Sequence, residues 1–189
     1  MMNHFDVAIL CGGESRRMGV RKENLKLDGT TLLERKRLQF SQAQHLYFCV
    51  GTPRSSMENS EFLLDQFLHC GPLGGIHAAL SACKSHLLFV AACDMPFVDW
   101  SVAQALLPYL SAEVDAVVPV LPDGRLLFVC AFFRKRCLPV LCSQLQRQHY
   151  RLQELSSLLQ IAEVSTSCLP FPAGTWKNIN TPADFHEIN

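Results

Sequence analysis

Two apolar runs set the frame for this chain. Residues 7–11 read Val-Ala-Ile-Leu-Cys, and residues 87–93 read Leu-Leu-Phe-Val-Ala-Ala-Cys. Neither alternates with polar residues. A strand that is apolar at every position is buried on both faces, as in a parallel sheet layered between helices. Each run stops abruptly, the first at Gly12-Gly13 and the second at Asp94-Met95-Pro96. In an open α/β sheet, ligands gather outside the carboxyl ends of the strands. The glycines and Asp94 can therefore face one crevice although they lie far apart in sequence.

The rest of the chain alternates in the same way. Strands are expected over residues 5–11, 46–50, 61–64, 87–93, 114–121, 126–133 and 162–167. The 114–121 and 126–133 segments flank the turn Pro122-Asp-Gly124 and read as two strands joined by it. Thr31-Leu-Leu-Glu34 is a capping box opening a helix that carries Leu32, Leu33, Leu38 and Phe40. Gly75 leads into a small-residue helix over 76–83, and Asp99 caps another through about residue 110. Further helices are expected over 134–148 and 151–160. Thr181-Pro182 starts a terminal helix, with Thr as cap and Pro at the first helical position. Alternating strand and helix predicts an α/β three-layer sandwich: a mostly parallel, Rossmann-like sheet flanked by helices. No linker or repeat interrupts residues 1–189, so one domain is expected.

Charge and cysteine content narrow the function. Seventeen basic residues balance seventeen acidic ones, which argues against a broad nucleic-acid or membrane surface. An anion site must be local, and Arg16, Arg17, Arg21, Lys22 and Lys26 form the basic cluster beside glycines. The nine cysteines are odd in number and lack a C-x-x-C pair. They read as reduced, packed thiols in a cytoplasmic protein. No signal peptide is expected, because Asn3, His4 and Asp6 interrupt the first residues. No apolar stretch approaches the ~20 residues that span a bilayer.

The loop after the first strand carries the chemistry. Leu10-Cys-Gly-Gly-Glu-Ser-Arg-Arg-Met-Gly-Val-Arg-Lys22 places two adjacent glycines ahead of Ser15, Arg16, Arg17 and Lys22. Outward-pointing amides beside cations favour a polyanion. The spacing fits neither Walker A nor the dinucleotide fingerprint. A glycine-rich, cationic loop of this kind suits a nucleoside triphosphate, and one reaction these residue types could perform is nucleotidyl transfer, where a phosphate oxygen attacks the α-phosphorus and pyrophosphate leaves. A terminal phosphate is already anionic near neutral pH. The work is therefore alignment and charge neutralisation, by amides, by cations and by a divalent ion on a carboxylate.

In order and spacing, Leu10, Gly12, Gly13, Ser15, Arg17, Met18, Gly19 and Lys22 match the loop of the molybdenum cofactor guanylyltransferases, which this chain resembles. Cys11 stands where that loop usually has Ala. Three more segments are similar to family motifs: Gly71-Pro-Leu-Gly-Gly75, Cys93-Asp-Met-Pro96 and Asn178-Ile-Asn-Thr-Pro182. The resemblance implies a nucleotidyltransferase sheet and a Mg²⁺-dependent enzyme. It would transfer GMP from GTP to the terminal phosphate of molybdenum-bound molybdopterin. Arg17, Lys22 and Asp94 would be catalytic, with Asp94 holding Mg²⁺. Leu10, Cys11, Gly12, Gly13, Ser15, Lys22, Asp65, Gly71, Pro72, Leu73 and Asp94 would bind nucleotide, Asp65 facing guanine. Asn178 and Asn180 would lie toward the pterin. Partners would include GTP, molybdenum-molybdopterin, and proteins of molybdopterin insertion and molybdoenzyme maturation.

Two departures qualify the match. Leu127-Phe128-Val129 replaces a polar and proline-containing stretch, and Gly51-Thr52-Pro53 stands where an asparagine is often found. The rival readings are a cytidylyltransferase on the same pterin and a non-catalytic paralogue that binds nucleotide or a partner enzyme.

Overall fold

The computed structural model describes residues 5–11, 21–51, 61–181 and 184–185. Nine strands form among them: β1 Asp6–Leu10, β2 Lys26–Leu27, β3 Thr30–Thr31, β4 Leu46–Val50, β5 Phe62–Leu64, β6 Leu87–Ala92, β7 Ala116–Val120, β8 Cys130–Arg134 and β9 Ile161–Ser165. β2 and β3 make a small antiparallel pair. The other strands form one seven-stranded sheet in the order β5-β4-β1-β6-β8-β7-β9. β1 runs parallel to β4 and β6, β4 to β5, and β7 to β9. β8 alone runs antiparallel to its neighbours β6 and β7. The expected mostly parallel α/β sheet is present.

Side-chain alternation along β1 divides the interior into two layers. Val7 and Ile9 point into one core with Leu32 of α1 (Leu32–Gln39), its C-cap Phe40, and Val102 and Leu106 of α3 (Trp100–Leu106). Ala8 and Leu10 point into the other, with Leu73, Ile76 and Leu80 of α2 (Pro72–Ala82) and Leu141 and Leu145 of α4 (Leu138–Gln146). Helices thus cover both faces. The capping box forms: Thr31 Oγ1 accepts from Glu34 N, and Glu34 accepts from Thr31 N. Asp99 accepts from Ser101 N and Val102 N, as its cap role requires. No helix of the described residues is long and apolar enough to cross a membrane.

Several boundaries differ from the sequence expectation. α2 begins at Pro72, not at residue 76. Gly71 (φ 61°) turns the chain in the left-handed region that glycine tolerates, and Pro72 suits a first helical turn because its missing N–H is not needed there. The strand expected over 126–133 starts only at Cys130. Cys130 N donates to Leu127 O, closing a turn that interrupts the strand, although Leu127 N still bonds Pro119 O and Val129 O still accepts from Ala92 N. The helix expected over 151–160 is a 3₁₀ segment, Leu152–Ser157, and a 3₁₀ turn, Lys135–Cys137, precedes α4. At the C-terminus, Thr181 Oγ1 accepts from Asp184 N, consistent with a cap at Thr181. Seven of the nine cysteines are buried.

Candidate functional site

The carboxyl ends of β1, β4 and β6 open onto one cavity of about 140 Å³. Leu10, Cys11, Lys22, Cys49, Asp65, Gly71, Pro72, Asp94 and Asn178 line it. Its floor is made by apolar strands that end in register, since Leu10 pairs with Cys49 on one side and Ala92 on the other. Glycine admits close packing here. A Cβ at Gly75 would lie 3.0 Å from Leu10 Cδ2, and one at Gly74 would lie 2.9 Å from the Phe67 carbonyl oxygen. The start of α2 therefore presses directly onto the ends of β1 and β4.

Lys22 and Asp94 meet at the cavity wall. Lys22 Nζ lies 2.7 Å from Asp94 Oδ2, with side chains 24% and 17% exposed. Nζ also donates to Asn180 Oδ1 at 2.8 Å, and Asn178 Nδ2 reaches Asp94 Oδ1 at 3.3 Å. The 178–180 segment is tied down by Ile179 N, which donates to the Asp94 backbone oxygen at 2.8 Å. Asn178 and Asn180 share a side of this extended segment although no strand forms there. Four residues from three separate sequence motifs thus form one cluster.

Asp65 is placed differently. It follows β5, with its backbone N bonded to Val50 O. Its Oδ1 is buried and has no hydrogen-bond partner among the described residues. Burial pushes its pKa up to about 6. A carboxylate removed from water without a donor is costly, and one beside an open cavity can be satisfied by a ligand's N–H groups.

A second cavity of about 500 Å³ adjoins the first, and Val129 and Asn178 line both. Arg125, Gln153, Trp176, Lys177, Asn180 and Asp184 are among its walls. Leu127 and Phe128, which depart from the family pattern, lie here too.

Among the expected nucleotide-binding residues, Leu73 offers the site only its backbone. Its side chain is fully buried in the α2 core layer and does not line the cavity. Gly12, Gly13, Ser15 and Arg17, together with Arg16, lie outside the described residues. Glu23 and Cys49 line the first cavity without having been singled out, and Gly75 and Val129 line it from segments named only for matching or departing from the family pattern. Glu23 was legible only as the residue after Lys22. The others sit on apolar or glycine-rich segments whose direction needs the fold.

Among the described residues, no three His, Cys, Asp or Glu side chains converge on a metal site. A caged metal is not what the donor set suits. Asp94 and the Asn178 and Asn180 amide oxygens are hard ligands beside open space. Mg²⁺ takes one or two carboxylates and completes its shell with phosphate oxygens and water, so these residues fit it.

The geometry can be set beside known proteins. A family profile described as "MobA-like NTP transferase domain" matches residues 7–164. The chain is 30% identical over 188 residues to the probable molybdenum cofactor guanylyltransferase of Bacillus subtilis, covering 97% of this chain and 94% of the relative. It is 30% identical over 186 residues to the molybdenum cofactor guanylyltransferase of Desulfosudis oleivorans, covering 95% and 91%. The solved structure of molybdopterin-guanine dinucleotide biosynthesis protein A from Archaeoglobus fulgidus superposes with a TM-score of 0.85 at 26% identity, covering 97% of this chain and 96% of that one.

Proposed function

This chain belongs to the family of MobA-like NTP transferase domains, and from that premise we propose that it is a molybdenum cofactor guanylyltransferase. It transfers GMP from GTP to the terminal phosphate of molybdenum-bound molybdopterin and releases pyrophosphate. An acceptor phosphate oxygen forms a bond to the α-phosphorus, and the bond from that phosphorus to the bridging oxygen of the pyrophosphate breaks. The observation that carries this reading is the Lys22–Asp94–Asn178–Asn180 cluster where the two cavities adjoin.

The residues divide the work. The guanine lies toward Asp65, whose carboxylate accepts from N1–H and the 2-amino group together. Gly71 and Pro72 border the same end of the cavity. Lys22 neutralises the triphosphate and moves from Asp94 to phosphate oxygens as GTP enters. Asp94, with Asn178 and Asn180 beside it, would hold Mg²⁺, which would supply neutralisation of the phosphate charge. The larger cavity takes the acceptor, with Arg125 and Lys177 on its walls for phosphate.

The test is turnover of molybdenum-molybdopterin with GTP, CTP or ATP, each with and without Mg²⁺, read as pyrophosphate release and dinucleotide formed. GTP turnover that requires Mg²⁺ is the expected result. Preference for CTP would make the chain a cytidylyltransferase. Nucleotide binding without turnover would make it a non-catalytic relative.

A further inference from the structure

Helix α1 carries a lysine where its apolar stripe demands a hydrophobe. Leu32, Lys36 and Phe40 recur at helical spacing on one face, and all three are fully buried. Burial lowers the Lys36 pKa to about 8. The ammonium is held by backbone. Nζ donates to Met95 O at 2.7 Å and to Val98 O at 2.5 Å, and lies 5.6 Å from the centre of the Phe40 ring. One turn further on, Gln39 Nε2 donates to Pro96 O at 2.7 Å. Two side chains of α1 therefore grip three carbonyls of the segment that directly follows Asp94.

We infer that Lys36, assisted by Gln39, is a positioning residue that fixes the turn presenting the Asp94 carboxylate to the metal and triphosphate. This rests on the function proposed above. Asp94 is anchored on three sides. Upstream, β6 sits in the sheet between β1 and β8. Laterally, Ile179 N binds the Asp94 carbonyl. Downstream the grip comes from Lys36 and Gln39. Releasing the downstream anchor leaves β6 intact but lets the carboxylate shift. In-line chemistry is sensitive to such shifts, since a misplacement of about 1 Å can cost ~10²-fold in rate. Nucleotide contacts from Asp65, Gly71 and Pro72 belong to other elements and are untouched.

The test compares Lys36→Met, similar in length and uncharged, with Gln39→Ala and with Leu141→Val in the opposite core layer. Thermal shift by GTP is read with and without Mg²⁺, alongside kcat and KM. Lys36→Met should keep the shift from GTP alone and lose the increment that Mg²⁺ adds. Its kcat should fall roughly 10- to 100-fold, with KM for GTP within about twofold. Gln39→Ala should move the same way by a few-fold. Leu141→Val should lower the melting temperature yet keep the increment. Lys36→Met with a wild-type increment and kcat overturns the inference, as does an equal loss in Leu141→Val. If Lys36→Met does not fold, Gln39→Ala decides alone: a reduced increment sustains the inference and an unchanged one ends it. A wild-type protein that shows no Mg²⁺ increment defeats the reading of Asp94 itself, a failure distinct from those of the variants.

Discussion

Two aspartates at opposite ends of the sheet have been taken out of water and treated in opposite ways. Asp6 opens β1 and is fully buried. Its oxygens accept from Lys84 N at 2.8 Å, Ser85 N at 3.1 Å, Ser85 Oγ at 2.8 Å and His45 Nδ1 at 3.0 Å. Burial alone would raise its pKa, but these donors outweigh it and hold the carboxyl below its usual range. Asp65 lies at the carboxyl end, with one oxygen buried and unpartnered and its pKa raised to about 6. Burial by itself therefore assigns no role. A carboxylate supplied with backbone donors belongs to folding, where it ties β1 to the turn before β6. One left short of donors beside a cavity is waiting for a ligand. Asp94 stands between them, for its partners Lys22 and Asn178 are side chains that a substrate can displace.

The largest effect should come from the displaceable partners. Asp94→Asn keeps the shape and removes the charge, so kcat should drop on the order of 10²- to 10³-fold with little change in melting temperature. Lys22→Ala should raise KM for GTP and lower kcat together. Steady-state kinetics beside a melting curve checks both. An Asp94→Asn enzyme of normal activity would move the metal elsewhere.

Next in size is Asp6→Ala, which leaves buried amides of Lys84 and Ser85 without an acceptor. The loss should be about 3 kcal/mol, or a fall of roughly 6–12 °C in melting temperature for a chain of this size. Activity per folded molecule should be unchanged at low temperature. A variant that melts normally but turns over slowly would erase the contrast between the two ends of the sheet.

The sequence exposes this division unevenly. β1, β4 and β6 were legible because strands covered on both faces leave uninterrupted apolar runs. The Thr31 and Asp99 caps were legible because side-chain capping is local chemistry. Lys22, Asp94, Asn178 and Asn180 could be named from motifs, and period-two spacing put the asparagines on one side even without a strand. The start of α2 was missed because Gly71-Pro-Leu-Gly-Gly75 carries loop-forming residues that close packing against Leu10 and Cys49 makes helical. The turn at residues 127–130 was missed because a turn inside an apolar stretch has no local signal. Lys36 was overlooked because a lysine is read as solvated, although its spacing from Leu32 and Phe40 already placed it on the buried stripe. Asp6 and Asp65 look alike in sequence, and only the supply of donors separates them.

Asp65 sharpens the comparison through the nucleotide. Ionised, it accepts two guanine N–H groups; protonated, it cannot. GTP affinity should therefore weaken by up to about tenfold per pH unit as pH falls below about 6. Asp65→Asn should remove that dependence and reduce preference for GTP over ITP, which lacks the 2-amino group, by on the order of tenfold. Titration calorimetry with the two nucleotides from pH 5 to pH 8 reads both. A pH-independent affinity in the wild-type protein would detach Asp65 from the base.

The smallest effect lies in the nucleotide-free protein, where the two aspartates should pull stability in opposite directions with pH. Asp6, its pKa lowered on folding, contributes fully above the unfolded value of 3.8 and loses that contribution as pH falls through its folded value. Asp65, raised from 3.8 to about 6, binds its proton more tightly when folded. Its protonated form is the compatible one, so its ionisation costs stability as pH rises from about 4 to about 6, and the cost persists above. Because the side chain is only partly buried, solvent screening should hold this to about 1 kcal/mol, or roughly 2–4 °C. Scanning calorimetry at pH 4.5 and pH 7 on wild type and Asp65→Asn isolates the difference. The variant should gain in relative stability at the higher pH, where the wild type carries a buried charge with no donor. Equal gains at both pH values would mean that Asp65 finds a partner in solution, and its orphaned oxygen would no longer mark a binding site.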